Sequence, residues 1–134
     1  MKISTFFVGA DEYAFELSKI LEILHVPAIR RVPGFEMFEG AITHRDHVIP
    51  LICLRKKLGL PGNIFDARTR ILALKSRGTV VGVIVDAMGV IHEADINMIS
   101  PPASLISAPD QSIRGIIRIR DKLVLLMDPD ALLV

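Results

Sequence analysis

The apolar residues of this chain are cut into short runs, and that pattern constrains the fold more than any other feature. Val, Ile, Leu and Phe dominate the runs, and turn signals separate them. Short β-branched runs with Gly, Pro or Asp between them are the pattern of an all-β protein with many short strands. Thr5 to Gly9 and Tyr13 to Leu17 are predicted to pair, with Asp11-Glu12 turning the chain. Ile20 to Val26 is a third extended stretch, stopped by Pro27. Arg30 to Gly34 is a loop punctuated by Pro and Gly. Ala41 to His44 and Val48 to Leu54 form a hairpin with its tip near Arg45-Asp46-His47. Arg55 to Leu58 takes one or two helical turns closed by Gly59, and Pro61-Gly62-Asn63 is a linker.

Arg70 to Lys75 and Thr79 to Val85 make a second hairpin around Arg77-Gly78, as a type I′ turn. Val80 to Val85 is apolar on both faces, which suits an inner strand. Met88 to His92 follows a break at Asp86-Ala87, and Asn97 to Gln111 reads as loop. Ser112 to Arg120 and Lys122 to Met127 form a last hairpin across Asp121-Lys122. Asp128 caps a final helical turn that begins at Pro129. About nine or ten short strands with little helix fit a barrel or a pair of small barrels. No long linker divides residues 1–134, so a pair would share one core within a single domain.

With 51 % hydrophobic residues, disorder is excluded, because so much aliphatic surface collapses. The longest charge-free stretch, Ile96 to Pro109, is broken by Asn, Ser and Pro and is too short to span a bilayer. Ile3 to Ala10 runs straight into Asp11-Glu12, so it is a strand and not a signal peptide. Sixteen basic and 15 acidic residues leave a net charge of +1, and aromatics are only 5 %, which argues against a nucleic-acid partner. A single cysteine, Cys53, rules out an internal disulfide and suits a reducing compartment. The expected location is the cytoplasm, without direct membrane insertion.

No catalytic signature is present: there is no phosphate-binding glycine loop, nucleophile elbow or H-E-x-x-H pair. The carboxylates are scattered and read as turn residues or solvated faces. His44, Asp46, His47 and Cys53 together are a donor set for zinc and define the alternative reading, a small metal or ligand sensor. Their spacing argues against it, since the two histidines flank a hairpin tip and Cys53 sits in an apolar strand. Arg45 is placed on a strand face with Ala41 and Thr43, where a lone cation needs a carboxylate or a route to solvent. Glu22, between Leu21 and Ile23, has the reciprocal need, so the two either pair or are separate surface charges. Arg118 and Arg120 alternate with Ile117 and Ile119 as a solvated strand face, and Arg30-Arg31 is a solvated loop pair.

Taken in order, several blocks resemble the CheW family of chemotaxis coupling proteins. They are the opening Phe6 to Phe15, Ile20-Leu21-Glu22-Ile23, and Arg31-Val32-Pro33. The most specific block is Gly40, Ile42, Arg45, Val48-Ile49-Pro50, Leu54-Arg55 and Leu58-Gly59-Leu60. Thr69 to Leu74, Val81 to Asp86, Ile113 to Ile116 and Leu123 to Leu133 complete the set. The chain departs from the family where Asn-Leu-Arg-Gly is usual, with Thr43-His44-Arg45-Asp46, and has Cys53 in place of an Asp.

The resemblance implies two small SH3-like β-barrels packed on a shared hydrophobic core. It implies a non-catalytic adaptor, without cofactor, that couples methyl-accepting chemoreceptors to the regulatory domain of a CheA-type histidine kinase. By motif position it places Ile20, Glu22, Gly40, Arg45 and Val90 on the receptor side, with Glu22 and Arg45 paired. No short motif marks the kinase side.

Overall fold

In a computed structural model of the chain, residues 1–26, 40–61, 65–101 and 112–133 are described. The predicted loop at Arg30 to Gly34, most of the Pro61 linker and most of the stretch after Ser100 lie outside them. The described residues form eleven strands: β1 (Lys2–Val8), β2 (Asp11–Glu16), β3 (Ile20–His25), β4 (Gly40–His44), β5 (His47–Cys53), β6 (Arg70–Ser76), β7 (Thr79–Val85), β8 (Ala87–Glu93), β9 (Ile99–Ser100), β10 (Ile113–Ile119) and β11 (Lys122–Met127). One short helix, α1 (Leu54–Lys57), follows β5, and a 3-10 helix over Pro129–Leu133 ends the fold. Both helical turns stand where the sequence placed them, and Gly59 closes α1 with a φ of 77°.

The strands divide into a six-stranded sheet, in the order β8-β1-β2-β11-β10-β9, and a five-stranded sheet, β3-β6-β7-β5-β4. Each sheet curls around its own aliphatic cluster. Ile3, Ala14, Ile117, Val124 and Leu126 fill the six-stranded sheet. Leu24, Ile42, Ile49, Leu51, Ile71 and Ile84 fill the five-stranded one. The largest cluster lies between the sheets and takes Phe6, Val8, Tyr13, Phe15 and Met127 from one and Ile52, Leu72, Leu74, Val81, Val83 and Val85 from the other. Phe6 stacks on both Tyr13 and Phe15, with ring centroids 5.9 and 5.0 Å away.

Strand periodicity explains this partition. Successive side chains alternate between faces. In β7 the odd positions Val81, Val83 and Val85 face the shared core, while Ile84 faces the interior of its own sheet. Strands β2, β5, β6 and β11 divide their residues in the same way. The continuous apolar run of Val80 to Val85 therefore belongs to an inner strand, and β7 is central in its sheet.

Two hairpin turns and the stretch after Asp95 correct the sequence reading. The first turn is Gly9-Ala10, because Val8 pairs with Asp11 and Gly9 takes a φ of 61°. Asp11 and Glu12 belong to β2, since a glycine free to enter the left-handed region outweighs local polarity. The last turn is Arg120-Asp121, with Ile119 paired to Lys122. Arg118 is solvent-exposed on β10, whereas Arg120 belongs to the turn with a φ of 55°. Part of the expected loop after Ile96 is ordered as a 3-10 turn (Ile96–Met98) and strand β9. Asp95 caps that 3-10 turn by accepting the Asn97 backbone N–H. The Arg77-Gly78 turn is as expected, both residues having positive φ.

Asp86 ties the two sheets together at the passage from β7 to β8. Its backbone N–H donates to Phe7 O of β1, and its carboxylate accepts the Gly9 N–H at 2.8 Å. The same carboxylate accepts Arg55 Nε of α1 at 2.9 Å, while Arg55 Nη1 donates to Pro61 O. The hydrogen bond from Arg55 to Asp86 is the largest cause pushing the guanidinium pKa above its ordinary value. A charge-assisted pair whose carboxylate holds a further backbone donor is the stronger class of ion pair. The C-terminal 3-10 helix is also held to the β6–β7 turn, through Ser76 Oγ to Pro129 O and Arg77 N to Asp130 Oδ1.

Because one core serves both sheets, Leu72→Ala is expected to lower stability by about 2–5 kcal/mol. Urea unfolding followed by Tyr13 fluorescence and by far-ultraviolet circular dichroism should give one coincident transition. Separate transitions would show that the halves unfold independently.

Candidate protein-interaction site at the barrel seam

Strands β3 and β4 stand at opposite ends of the five-stranded order, yet their side chains meet. Glu22 of β3 lies at the junction. His44 Nε2 of β4 is 2.9 Å from Glu22 Oε2, and Arg45 Nη2 donates to Glu22 Oε1 at 3.2 Å. The sheet is thus closed into a barrel at this seam by side chains. Leu24 and Ile42, also from β3 and β4, close it from inside as members of one apolar cluster.

Two local features put these groups at the seam. A bulge in β3 is the first. Ile20 pairs with Leu74, but Glu22 pairs with Ala73, so Leu21 is the extra residue. A bulge changes the phase of a strand. Ile20 consequently packs on the shared core with Leu74, while Leu24 pairs with Ile71 and enters the five-stranded barrel. The second feature is the β4–β5 turn. His44 pairs directly with His47, which leaves Arg45 and Asp46 as a two-residue loop with φ values of 50° and 63°. Arg45 is therefore a turn residue and does not lie on the strand face of Ala41 and Thr43. The turn carries its side chain out to solvent, 75 % exposed, while Glu22 is 33 % exposed.

The site residues named from sequence are not all brought to this junction. Glu22 and Arg45 pair. Gly40 is buried on β4 opposite Leu51, and Ile20 faces the shared core. Val90 lies on β8, an edge strand of the other sheet, and is exposed. A bulge presents it: Gly89 and Val90 together oppose Thr5, whose buried hydroxyl accepts the Val90 N–H at 2.9 Å. A Cβ on Gly89 would stand 2.1 Å from that hydroxyl, so only glycine fits.

Sequence reasoning missed the apolar groups that flank these positions. Leu21 and Ile23 are exposed on either side of Glu22, and Val48 is exposed next to His47 in β5. Ile91, Ile96 and Met98 are exposed near Val90 in the chain. The signal was the pair Leu21 and Ile23 on either side of Glu22, apolar at positions that no core needs.

The donor set His44, Asp46, His47 and Cys53 is not assembled. His44 engages Glu22, and Cys53 is buried at the far end of β5. Among the described residues no group of His, Cys, Asp and Glu side chains is placed to hold a metal ion. Among them, too, no helix is long and apolar enough to cross a membrane.

Two curled sheets on one core carry exposed aliphatic residues beside a charged seam. Comparison with known proteins gives the family. Residues 2–134 match the CheW-like domain. The chain is 34 % identical to the chemotaxis protein CheW of Bacillus subtilis, over 98 % of this chain and 86 % of that protein. It is 29 % identical to the CheW of Helicobacter pylori, over 96 % and 78 %. The crystal structure of the scaffolding protein TtCheW from Thermoanaerobacter tengcongensis superimposes with a TM-score of 0.90 at 27 % identity, covering 98 % of this chain and 90 % of that one. The chain belongs to the CheW family, and its two barrels are SH3-like, as in that structure. It is a chemotaxis scaffold protein and not an enzyme.

The seam and the Asp86 junction differ in depth, and mutation should separate them. Glu22→Gln is expected to change stability by no more than about 1 kcal/mol, since an exposed guanidinium holds little net energy. Asp86→Ala removes the acceptor of two donors at once and should lower the urea midpoint further than Glu22→Gln does. The reverse order in a urea titration would contradict this assignment.

Proposed function

We propose that the chain couples the cytoplasmic tips of methyl-accepting chemoreceptors to the regulatory domain of a CheA-type histidine kinase, as a cytoplasmic protein that does not insert into the membrane. Its receptor side comprises Ile20, Glu22, Gly40, Arg45 and Val90. The observation that carries the reading is the Glu22–Arg45 ion pair on an exposed rim, flanked by the aliphatic side chains of Leu21 and Ile23. A helical hairpin docks through apolar anchors laid into a groove. Charges at the margin of such a groove fix orientation and partner choice more than affinity. Ile20 and Gly40 would act from beneath, by holding the strands that carry the rim. Receptor signals would reach the kinase by shape and contact, with no covalent step on this chain.

Calorimetric titration tests the proposal. Arg45→Ala is expected to weaken binding of a chemoreceptor tip fragment roughly tenfold, or about 1.4 kcal/mol. Its affinity for the kinase regulatory domain and its melting temperature should match the wild type. Equal receptor affinity would remove Arg45 from the site. Failure of the wild-type chain to bind the kinase domain up to high micromolar concentration would overturn the adaptor reading.

A further inference from the structure

Strand β8 stands at one end of the six-stranded sheet, and two neighbouring residues on it, Val90 and Ile91, are both exposed aliphatics. A regular strand sends neighbours to opposite faces, so such a pair needs a local cause. The cause is the register against β1. Phe6 pairs with Met88 but Ser4 pairs with Ile91, so Gly89 and Val90 share the single partner Thr5. An unbroken register from the Phe6–Met88 pair would set Val90 against Ser4 and Ile91 against Ile3, which belongs to the cluster inside the six-stranded sheet. The extra residue instead sets Ile91 beside Ser4, whose neighbour on β2 is Phe15 of the shared core. Ile91 thus ends a row, Phe15–Ser4–Ile91, that runs from the layer between the sheets out to its exposed rim.

A buried hydroxyl meets this bulge. Thr5 is wholly buried, and its Oγ1 accepts the Val90 N–H at 2.9 Å. The same Oγ1, with Thr5 Cβ and carbonyl O behind it, is what a Cβ on Gly89 would run into. One side chain therefore fastens the second residue of the bulge and confines the first to glycine. On its other side Thr5 pairs with Ala14 in a register without a break, so the irregularity belongs to β8 alone. Burying a polar group without a partner is costly, so the hydroxyl and the Val90 amide each depend on the other.

We infer that Thr5 is a positioning residue for the receptor side: its hydroxyl holds the β8 bulge, and the bulge turns Ile91 to the rim between the sheets beside an exposed Val90. Thr5 is buried and touches no partner, so its effect passes through the strand it holds. What the displayed pair contacts rests on the receptor-coupling reading; how the pair is held rests on the fold alone.

The experiment separates these two parts. Valine keeps the size of threonine without the acceptor, and serine keeps the acceptor without the methyl. In the free protein, hydrogen exchange of the Val90 amide is followed by NMR. Exchange in Thr5→Val is expected to be roughly fivefold faster than in the wild type, the scale of one lost hydrogen bond, and Thr5→Ser should restore protection. Unchanged protection in Thr5→Val, or equal loss in Thr5→Ser, overturns the inference whether or not a partner binds. If Thr5→Val does not fold, Gly89→Ala, whose added methyl displaces the same hydroxyl, is held to the same loss. A chemoreceptor tip fragment is then titrated calorimetrically. Thr5→Val is expected to bind it roughly tenfold more weakly, with Thr5→Ser matching the wild type and the affinity of both variants for the kinase regulatory domain unchanged. Equal receptor affinity in Thr5→Val, or a parallel loss toward the kinase domain, overturns the positioning role. A wild type that does not bind the fragment overturns the receptor reading alone, and the exchange data then decide the role of Thr5.

Discussion

One apolar layer, contributed by both sheets, sets the conditions for everything else in this fold. Phe6, Phe15 and Met127 come to it from one side, and Leu72, Val81 and Val83 from the other. The strands that supply it must also fill their own barrels with the opposite face. Such strands cannot be amphipathic, because neither face meets water. That requirement accounts for the Val-rich run of β7 and the Leu-rich run of β11. It also drives charge to the sheet ends, the turns and the seam, where Glu22, Arg45 and Asp86 are found.

Much of this was legible in the sequence because burial on two faces leaves a plain mark. The central place of β7 follows from Val80 to Val85 alone. The type I′ turn at Arg77-Gly78 and the helical turn before Gly59 follow from glycine at defined offsets. What misled was polarity taken as a turn signal. Asp11 and Glu12 are strand residues because Gly9 had already turned the chain. The bulge at Leu21 left no mark, yet one inserted residue sends Ile20 and Glu22 to opposite faces. Two lone charges in apolar surroundings left the Glu22–Arg45 pair open, and the family resemblance is what implied it. The part played by His44 was not foreseen, since nothing in a linear sequence shows which end strands a curled sheet will bring together.

The residues assigned to the receptor side are distributed over both sheets, with Val90 on one and Glu22 and Arg45 on the other. Their spacing is therefore a property of how the sheets are joined. The shared core supplies cohesion without direction, whereas hydrogen bonds supply direction. At Asp86, a β1 carbonyl, the Gly9 amide and the Arg55 guanidinium converge on one residue between β7 and β8. A scaffold that transmits signals without chemistry depends on rigidity of this kind.

The left-handed backbone of Arg45 has an evolutionary consequence. Its φ of 50° is one that an L side chain with a Cβ adopts only at a cost of about 1 kcal/mol, and glycine adopts it freely. A chain selected for stability alone would drift to glycine here and gain a tighter hairpin. Retaining arginine keeps a guanidinium at the tip of the turn, at the expense of a weaker hairpin. Under the receptor role proposed for Arg45, the position sets stability against function within a single residue, and consensus-style stabilisation of this chain should leave it untouched.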